Sequence, residues 1–241
     1  MITPARRPFP DGSGIFETMR TENGLVGEFG RHMRRALSAS QALGIRMPDE
    51  ESIRSQVQFV LNEYLFPIGR LRICIGESGL TVTHDEYIEL TEGGYLTFST
   101  PTSKAKGEQF KTYPYDEHYE IVDEARAHGF DDAIIFNSAN NVTETGLSNI
   151  AFFIDGSWIT PPITAGILPG VMRAIAVERC GVQVRNIHIS EVPSAKEIVL
   201  LGSLKIAQPV VQVGEMRLAN GEEATALATQ MREKVEYFSV G

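Results

Sequence analysis

The chain has 241 residues, and its 31 acidic and 22 basic side chains give a formal net charge of −9. Proteins that bind nucleic acids or anionic membranes present basic surfaces, so this balance argues against both kinds of partner. Two cysteines cannot form a disulfide framework, and without a CxxC or HExxH motif we expect no metal site. Since no apolar run approaches the ~18 residues of a membrane span, we expect a cytoplasmic protein.

The first part of the chain predicts both strands and helices. A strand with alternating apolar and polar residues precedes the turn signal Glu22-Asn23-Gly24, which is typical of a hairpin. Apolar residues at helical spacing then predict one helix that ends at Gly44 and another that begins at Pro48-Asp49 and ends near Pro67. The expected strands are 15–20, 25–29, 70–75, 80–84 and 94–99.

A polar segment without periodicity, which contains Pro101 and Gly107, predicts a linker at residues 100–110. It separates a small N-terminal α+β lobe, residues 1–99, from a larger C-terminal lobe, residues 111–241. The pattern predicts an α+β fold with mostly antiparallel sheets and flanking helices. The sequence lacks the glycine-rich nucleotide-binding motifs that would favour a doubly wound sheet. In the second lobe we expect strands at 133–136, 149–154, 157–160, 182–189, 198–201 and 209–213, and helices at 117–128, 170–180 and 222–238.

Five short motifs occur in order along the chain. They are Gly12–Arg20 with His32–Arg35, Lys111 with Gly129 and Asp132, Val142–Ile150, Gly166–Arg173, and Gly202–Leu204 before Pro209. Each is weak alone, but together they resemble the class IV aminotransferases, which are pyridoxal-phosphate enzymes of fold type IV. That family includes branched-chain and D-amino-acid transaminases and 4-amino-4-deoxychorismate lyase. The resemblance implies a two-lobe architecture of the D-amino-acid aminotransferase type.

The resemblance also implies a set of residues around pyridoxal phosphate. Lys111 would hold the cofactor covalently, a role that suits an amine in a partly apolar pocket, whereas Lys104 and Lys106 lack a following helix at the right distance. Glu144 would keep the pyridine nitrogen protonated. The phosphate would meet backbone N–H groups at a helix start, a hydroxyl and a cation. These groups belong to Gly170, Val171, Met172, Ser203 and Arg35.

The substrate residues have alternative interpretations. Arg20 either contacts a substrate carboxylate or forms a structural salt bridge. The phenols of Tyr113 and Tyr115 either donate toward the cofactor or the substrate, or pack as core aromatics. We expect His32 to serve the start of its helix and to have no catalytic part.

Two reactions fit the resemblance. The turn Gly170-Val171-Met172-Arg173, the tail Gly202-Ser203-Leu204 and the short chain favour 4-amino-4-deoxychorismate lyase. That enzyme forms 4-aminobenzoate and pyruvate in the folate pathway. Transamination of amino acids, of the D-amino-acid or branched-chain type, is the alternative, and a non-catalytic cofactor-binding or scaffold relative is a second one. The resemblance further implies a homodimer that acts on a small-molecule substrate.

Overall fold

The computed structural model describes residues 9–99, 110–219 and 221–240. The chain forms two compact units, one of Met1–Glu89, Phe110–Pro114 and Val235–Gly241 and the other of Leu90–Gln109 and Tyr115–Lys234. The elements in chain order are β1 (Gly14–Glu22), β2 (Leu25–Gly27), α1 (Phe29–Leu43), α2 (Glu50–Glu63), β3 (Ile68–Gly76), β4 (Gly79–Glu86), β5 (Gly94–Phe98), β6 (Thr112–Tyr113), α3 (Asp116–Ala127), β7 (Asp132–Phe136), β8 (Val142–Thr145), β9 (Asn149–Ile154), β10 (Ser157–Thr160), α4 (Val171–Arg179), β11 (Gln183–Val184), β12 (Glu197–Gly202), β13 (Ile206–Val213), β14 (Met216–Arg217), α5 (Glu222–Lys234) and β15 (Tyr237–Phe238).

The first unit is a sheet packed on two helices. Its strand order is β15-β2-β1-β3-β4, and β6 pairs with β1. Because alternate residues of a strand point to the same side, Ile15, Glu17 and Met19 of β1 share one face. Ile15 and Met19 are buried in a core that also contains Ala36 of α1 and Val57 of α2. This face therefore places Glu17, a charged residue, beside an apolar core.

Local signals explain where the two helices of this unit end and begin. α1 ends at Gly44, whose left-handed backbone (φ 69°) lets its N–H donate to the Ser40 carbonyl. α2 begins after Asp49, whose carboxylate accepts a hydrogen bond from the Ser52 N–H at 2.7 Å. Both positions confirm the predictions from the sequence.

The second unit contains a mixed sheet with strand order β11-β10-β9-β12-β13-β5-β7-β8, and β14 pairs with β13. Most pairs are antiparallel, as predicted, but β5 runs parallel to both β13 and β7. Asn149 at the start of β9 lies opposite Leu201 near the end of β12. One edge of the sheet therefore brings the β8–β9 turn close to the turn that follows β12. The core consists of apolar residues from several strands, among them Leu96, Ile134, Ile150, Phe152, Ile198 and Leu200.

The boundaries of the two units differ from the lobes expected from the sequence. β5 belongs to the second unit, because its backbone pairs with β13 and β7, whereas the expected N-terminal lobe extends to residue 99. Phe110–Pro114 and the last residues belong to the first unit, because β6 pairs with β1 and β15 pairs with β2. Residues 100–109 of the expected linker lie outside the described residues.

Two elements are shorter than predicted. The strand expected at 182–189 is limited to β11, because the His188 side chain accepts from the Ser190 N–H and caps a 3-10 turn at Ile189–Ser194. The helix expected at 222–238 ends at Lys234, after which β15 extends along β2. Among the described residues, no helix combines the length and the apolar character needed to cross a membrane.

Candidate active site

Lys111 is anchored to the central strand of the first unit. Its carbonyl oxygen accepts a hydrogen bond from the Phe16 N–H at 2.9 Å, just before β6 pairs with β1. Its Nζ lies 4.5 Å from the centroid of the Phe16 ring. Since a strand holds the backbone and an aromatic face supports the side chain, the amine has a defined position, as covalent attachment of a cofactor requires.

Glu17, His32 and Arg35 form a buried ionic group in the first unit, which we call the Glu17 cluster. The Nδ1 atom of His32 lies 2.6 Å from Oε2 of Glu17. Arg35 donates from Nε to Oε1 of Glu17 at 2.8 Å and from Nη2 to Oε2 at 2.5 Å. The exposed fractions of the Glu17, His32 and Arg35 side chains are 3%, 0% and 12%. Because His32 and Arg35 are three residues apart, they share one face of α1 and reach the same carboxylate.

The cluster contains an ionised carboxylate and a neutral imidazole. Burial alone would raise the pKa of Glu17, but the charge of Arg35, the charge that His32 gains when it is protonated in acid, and the hydrogen bonds of both residues outweigh burial and lower the pKa to about 2. Burial lowers the pKa of His32 against the attraction of Glu17, and the charges of Arg35 and Lys111 lower it further. Since an ionised carboxylate only accepts hydrogen bonds, His32 donates its Nδ1–H to Glu17.

The expectation that His32 serves the helix start holds for its backbone alone. The His32 N–H donates to the Glu28 carbonyl at 3.2 Å and so closes the first turn of α1. The ring instead lies one turn into the helix and binds Glu17. A residue expected to have a local role therefore connects α1 to β1.

Glu144 lies in β8 with 5% of its surface exposed. Its Oε2 accepts from Nδ2 of Asn149 at 3.0 Å, and the Leu168 N–H lies 3.2 Å from Oε2 and 3.3 Å from Oε1. The same Nδ2 atom of Asn149 donates to the Leu168 carbonyl at 3.0 Å. Asn149 therefore ties the carboxylate to the segment that leads into α4.

Asp132 organises the turn between Glu144 and Asn149. Its buried carboxylate accepts from the Thr145 hydroxyl at 2.8 Å and from the Gly146 N–H at 2.9 Å. A carboxylate that satisfies several donors in one turn fixes the backbone there. The acidic residue that the motif spacing places after Lys111 thus holds the backbone immediately beyond Glu144.

The segment before α4 has the features of an anion site. The N–H groups of Val171 and Met172 lie in the first helical turn, where no carbonyl of the helix can pair with them, and the helix dipole favours negative charge there. A Cβ atom at Gly170 would overlap Oδ1 of Asn149, so only glycine fits beside that amide. Ser203 lies in the turn that follows β12. Because β12 pairs with β9, this turn is close to Asn149.

Arg20 has the contacts of a structural ion pair. Its guanidinium lies 2.7 Å from Glu22 and 3.1 Å from Glu89, and the side chain is 3% exposed. These contacts match the salt-bridge alternative, while a contact with substrate stays a prediction.

Tyr113 and Tyr115 are both buried, in different units. A Cβ atom at Gly14 would lie 2.7 Å from the Tyr113 ring, so the ring packs on that glycine. Within the described ranges the Tyr113 hydroxyl has no hydrogen-bond partner. The Tyr115 ring stacks on His118 with centroids 4.0 Å apart. These contacts are those of packed aromatics, and the proposed donor roles stay predictions.

Each unit, taken by itself, contains groups whose chemistry matches a part of pyridoxal phosphate. A buried carboxylate matches a protonated pyridine nitrogen, a glycine-flanked helix start matches a phosphate, and an anchored lysine matches the aldehyde. Glu144, Gly170 with Val171 and Met172, and Lys111 supply these groups. The fit rests on the chemistry of the donors and on the space that Gly170 leaves.

The roles of Glu17 and Asn149 were missed by sequence reasoning, although both residues lie within the quoted motifs. Glu17 stands between Ile15 and Met19 on a strand face that is otherwise apolar, which signals a buried charge with a partner. The spacing of His32 and Arg35 indicates that partner. No comparable signal exists for Asn149, because its contact with Leu168 joins positions 19 residues apart.

Comparison with known proteins identifies the family to which the chain is similar. The family model described as Amino-transferase class IV matches residues 14–213. A probable branched-chain-amino-acid aminotransferase of Aquifex aeolicus (strain VF5) is 33% identical over 105 residues, which cover 41% of this chain and only 34% of the relative. A putative aminodeoxychorismate lyase of Schizosaccharomyces pombe is 24% identical over 173 residues, which cover 69% of this chain and 74% of the relative.

A solved structure agrees with the fold. An aminotransferase from Brucella abortus, bound to the cofactor pyridoxal phosphate, superposes with a TM-score of 0.79 at 20% identity and covers 95% of this chain and 94% of its own. This likeness confirms the predicted α+β architecture of fold type IV. The family match over most of the chain shows that this protein belongs to the class IV aminotransferases, a family of pyridoxal-phosphate enzymes.

Proposed function

We propose that the chain cleaves 4-amino-4-deoxychorismate to 4-aminobenzoate and pyruvate, with pyridoxal phosphate as cofactor. The observation that carries the cofactor assignment is the Glu144 carboxylate, which is buried and oriented by Asn149 and the Leu168 N–H. The choice of reaction is supported by the lyase relative, which aligns with most of both chains.

The roles of the chain's own residues follow from their chemistry. When bound, pyridoxal phosphate withdraws electrons from the substrate carbon next to nitrogen. Glu144 holds the proton on the pyridine nitrogen, and Lys111 carries the cofactor and moves the substrate proton. The N–H groups of Val171 and Met172, together with Ser203, bind the phosphate, and Arg35 supplies a positive charge.

A transaminase is the second candidate, and one observation favours it. The branched-chain aminotransferase relative has the higher identity, 33%, although it matches over a shorter segment. The two reactions use the same cofactor contacts, so the described site residues fit either one. They differ in whether the substrate loses pyruvate or transfers its amino group.

Product analysis distinguishes the two candidates. Purified protein loaded with pyridoxal phosphate is given 4-amino-4-deoxychorismate in one assay, and L- or D-amino acids with 2-oxoglutarate or pyruvate in another. We expect 4-aminobenzoate and pyruvate in equal amounts in the first assay. Amino transfer alone would establish the transaminase. A protein that stays colourless after incubation with pyridoxal phosphate would support the scaffold alternative.

We also propose that the enzyme is a homodimer, as the resemblance implies. An obligate dimer buries more than about 1,600 Å² with an apolar centre. Light scattering at micromolar concentration should give twice the chain mass. A monomer that turns over substrate would contradict the proposal.

A further inference from the structure

We infer that Glu17 and His32 are positioning residues, which orient the Arg35 guanidinium for the cofactor phosphate. The inference rests on the proposed role of Arg35 in phosphate binding. It adds two residues that would act on the cofactor through Arg35, without contacting it. The observation behind it is the geometry of the Glu17 cluster.

The two hydrogen bonds from Arg35 hold the side edge of its guanidinium against Glu17. Nε and Nη2 both donate to Glu17, so the side edge of the planar group is occupied by this carboxylate. A guanidinium has a second, end-on edge formed by Nη1 and Nη2, which also accepts a bidentate anion. Because Glu17 holds the side edge, the proposed contact of Arg35 with phosphate would use the end-on edge.

His32 in turn fixes the carboxylate. Its Nδ1–H donates to Oε2, the oxygen that also accepts from Nη2 of Arg35. The ring is completely buried, and burial keeps it neutral, so the cluster has one negative and one positive charge. His32 therefore prevents rotation of the Glu17 carboxylate. Because the imidazole is neutral, the negative charge of Glu17 remains paired with the positive charge of Arg35.

Loss of the Glu17 charge should affect phosphate recognition more than the rest of the cofactor. In Glu17→Gln the amide keeps the shape of the side chain but no longer attracts the guanidinium on two atoms. The guanidinium then loses its fixed orientation and presents fewer donors to the phosphate. We expect the affinity for pyridoxal phosphate to fall about tenfold to a hundredfold, the range of a charge-assisted hydrogen bond.

The test compares pyridoxal phosphate with pyridoxal, which lacks the phosphate. The full-length apoprotein is titrated with each compound, and binding is followed by visible absorbance. For Glu17→Gln we expect weaker binding of pyridoxal phosphate and no more than a twofold change for pyridoxal. Equal losses for the two compounds would overturn the inference, because a general structural defect affects both. Glu51→Gln, on the exposed face of α2, is the matched control.

A double-mutant cycle tests whether Glu17 acts through Arg35. Arg35→Met should weaken binding of pyridoxal phosphate, and adding Glu17→Gln to it should cause no further loss. Arg34→Met, an exposed neighbour on α1, is the control for Arg35. A further tenfold loss in the double variant would show that Glu17 acts independently, and would overturn the inference.

The same cycle separates failure of the inference from failure of the proposed function. If Arg35→Met weakens binding but Glu17→Gln does not, the inference alone fails. If Arg35→Met leaves binding unchanged, Arg35 is not a phosphate ligand and the inference fails, while the proposed reaction stands on Glu144 and Lys111. If wild type binds no pyridoxal phosphate, the proposed function fails as well. Should Glu17→Gln not fold by circular dichroism, His32→Leu removes the second contact of the carboxylate. We expect a threefold to tenfold loss specific to pyridoxal phosphate, and an unchanged affinity would overturn the inference.

Discussion

Glu17 on β1 and Glu144 on β8 are both buried glutamates on strands, yet their surroundings differ. Glu17 receives three hydrogen bonds from an arginine and a histidine, which lower its pKa to about 2. Glu144 accepts hydrogen bonds from the Asn149 amide and the Leu168 N–H, two neutral donors that orient the carboxylate. A carboxylate matched with a cation suits a structural role, whereas one oriented by neutral donors suits binding of a positively charged ligand.

The proposed roles of both carboxylates depend on a bound cofactor, which Lys111 is proposed to carry, so removal of Lys111 has the largest expected effect. Lys111→Ala should abolish both the reaction and the visible absorbance of bound cofactor. Borohydride reduction followed by mass spectrometry should place the pyridoxyl group on Lys111. A label on Lys104 or Lys106, which lie outside the described residues, would contradict the assignment of the middle of the chain.

Substitution of Glu144 sharpens the contrast with Glu17. Glu144→Gln should retain the cofactor but lower kcat about a hundredfold or more, because an amide cannot keep the pyridine nitrogen protonated. Its affinity for cofactor should weaken by ~1.5–3 kcal/mol at most. Glu17→Gln should show the opposite pattern, with a larger effect on affinity than on kcat of the loaded enzyme. Steady-state kinetics with saturating cofactor measures the difference, and a kcat within a few-fold of wild type would exclude Glu144 as the ring partner.

The low pKa of Glu17 predicts how stability depends on pH. Its folded-state pKa, about 2, lies below the ordinary value of 4.5, so the ionised carboxylate stabilises the fold above pH 4.5 and this stabilisation is lost as the pH falls toward 2. The pKa of His32 is also lowered from 6.5, so its neutral form stabilises the fold above pH 6.5 and is lost in acid. In denaturant unfolding between pH 7 and 3, the free energy of unfolding of wild type should fall by about 2 kcal/mol more than that of Glu17→Gln, mostly below pH 4.5. Parallel curves would contradict the ionisation of Glu17.

The smallest effect is expected from Gly170, which affects Glu144 indirectly. In Gly170→Ala the new methyl group displaces the Asn149 side chain, which orients Glu144. We expect cofactor affinity to fall about threefold to tenfold, since the carboxylate stays charged but loses one hydrogen bond. Gly30→Ala is the control, because an added Cβ there comes no closer than 3.7 Å to Nη1 of Arg34, an ordinary contact, and Gly30 lies in α1 without a positive φ. Unchanged affinity and kcat would show that Asn149 is not required for the orientation of Glu144.

The sequence predicted most of the elements, among them β1 and β12, because the periodicity of apolar residues is local. The division into units was predicted less well, since it depends on which distant strands pair. β5 has the composition of any buried strand, and nothing in its residues indicates that its neighbours are β13 and β7. Similarly, the motifs include Glu17, Asp132 and Asn149, but their partners become visible only in three dimensions.

The first unit is discontinuous, and this has a consequence for folding. β15 pairs with β2 across more than 200 residues, the Glu236 N–H donates to the Glu28 carboxylate at 3.0 Å, and Val240 is buried in the core of this unit. Contacts between such distant residues form slowly, because closing a long loop costs chain entropy. The β-sheet that carries Glu17 is therefore complete only when β15 has paired with β2. Residues 9–89 expressed alone should lack the cooperative unfolding transition of the full chain.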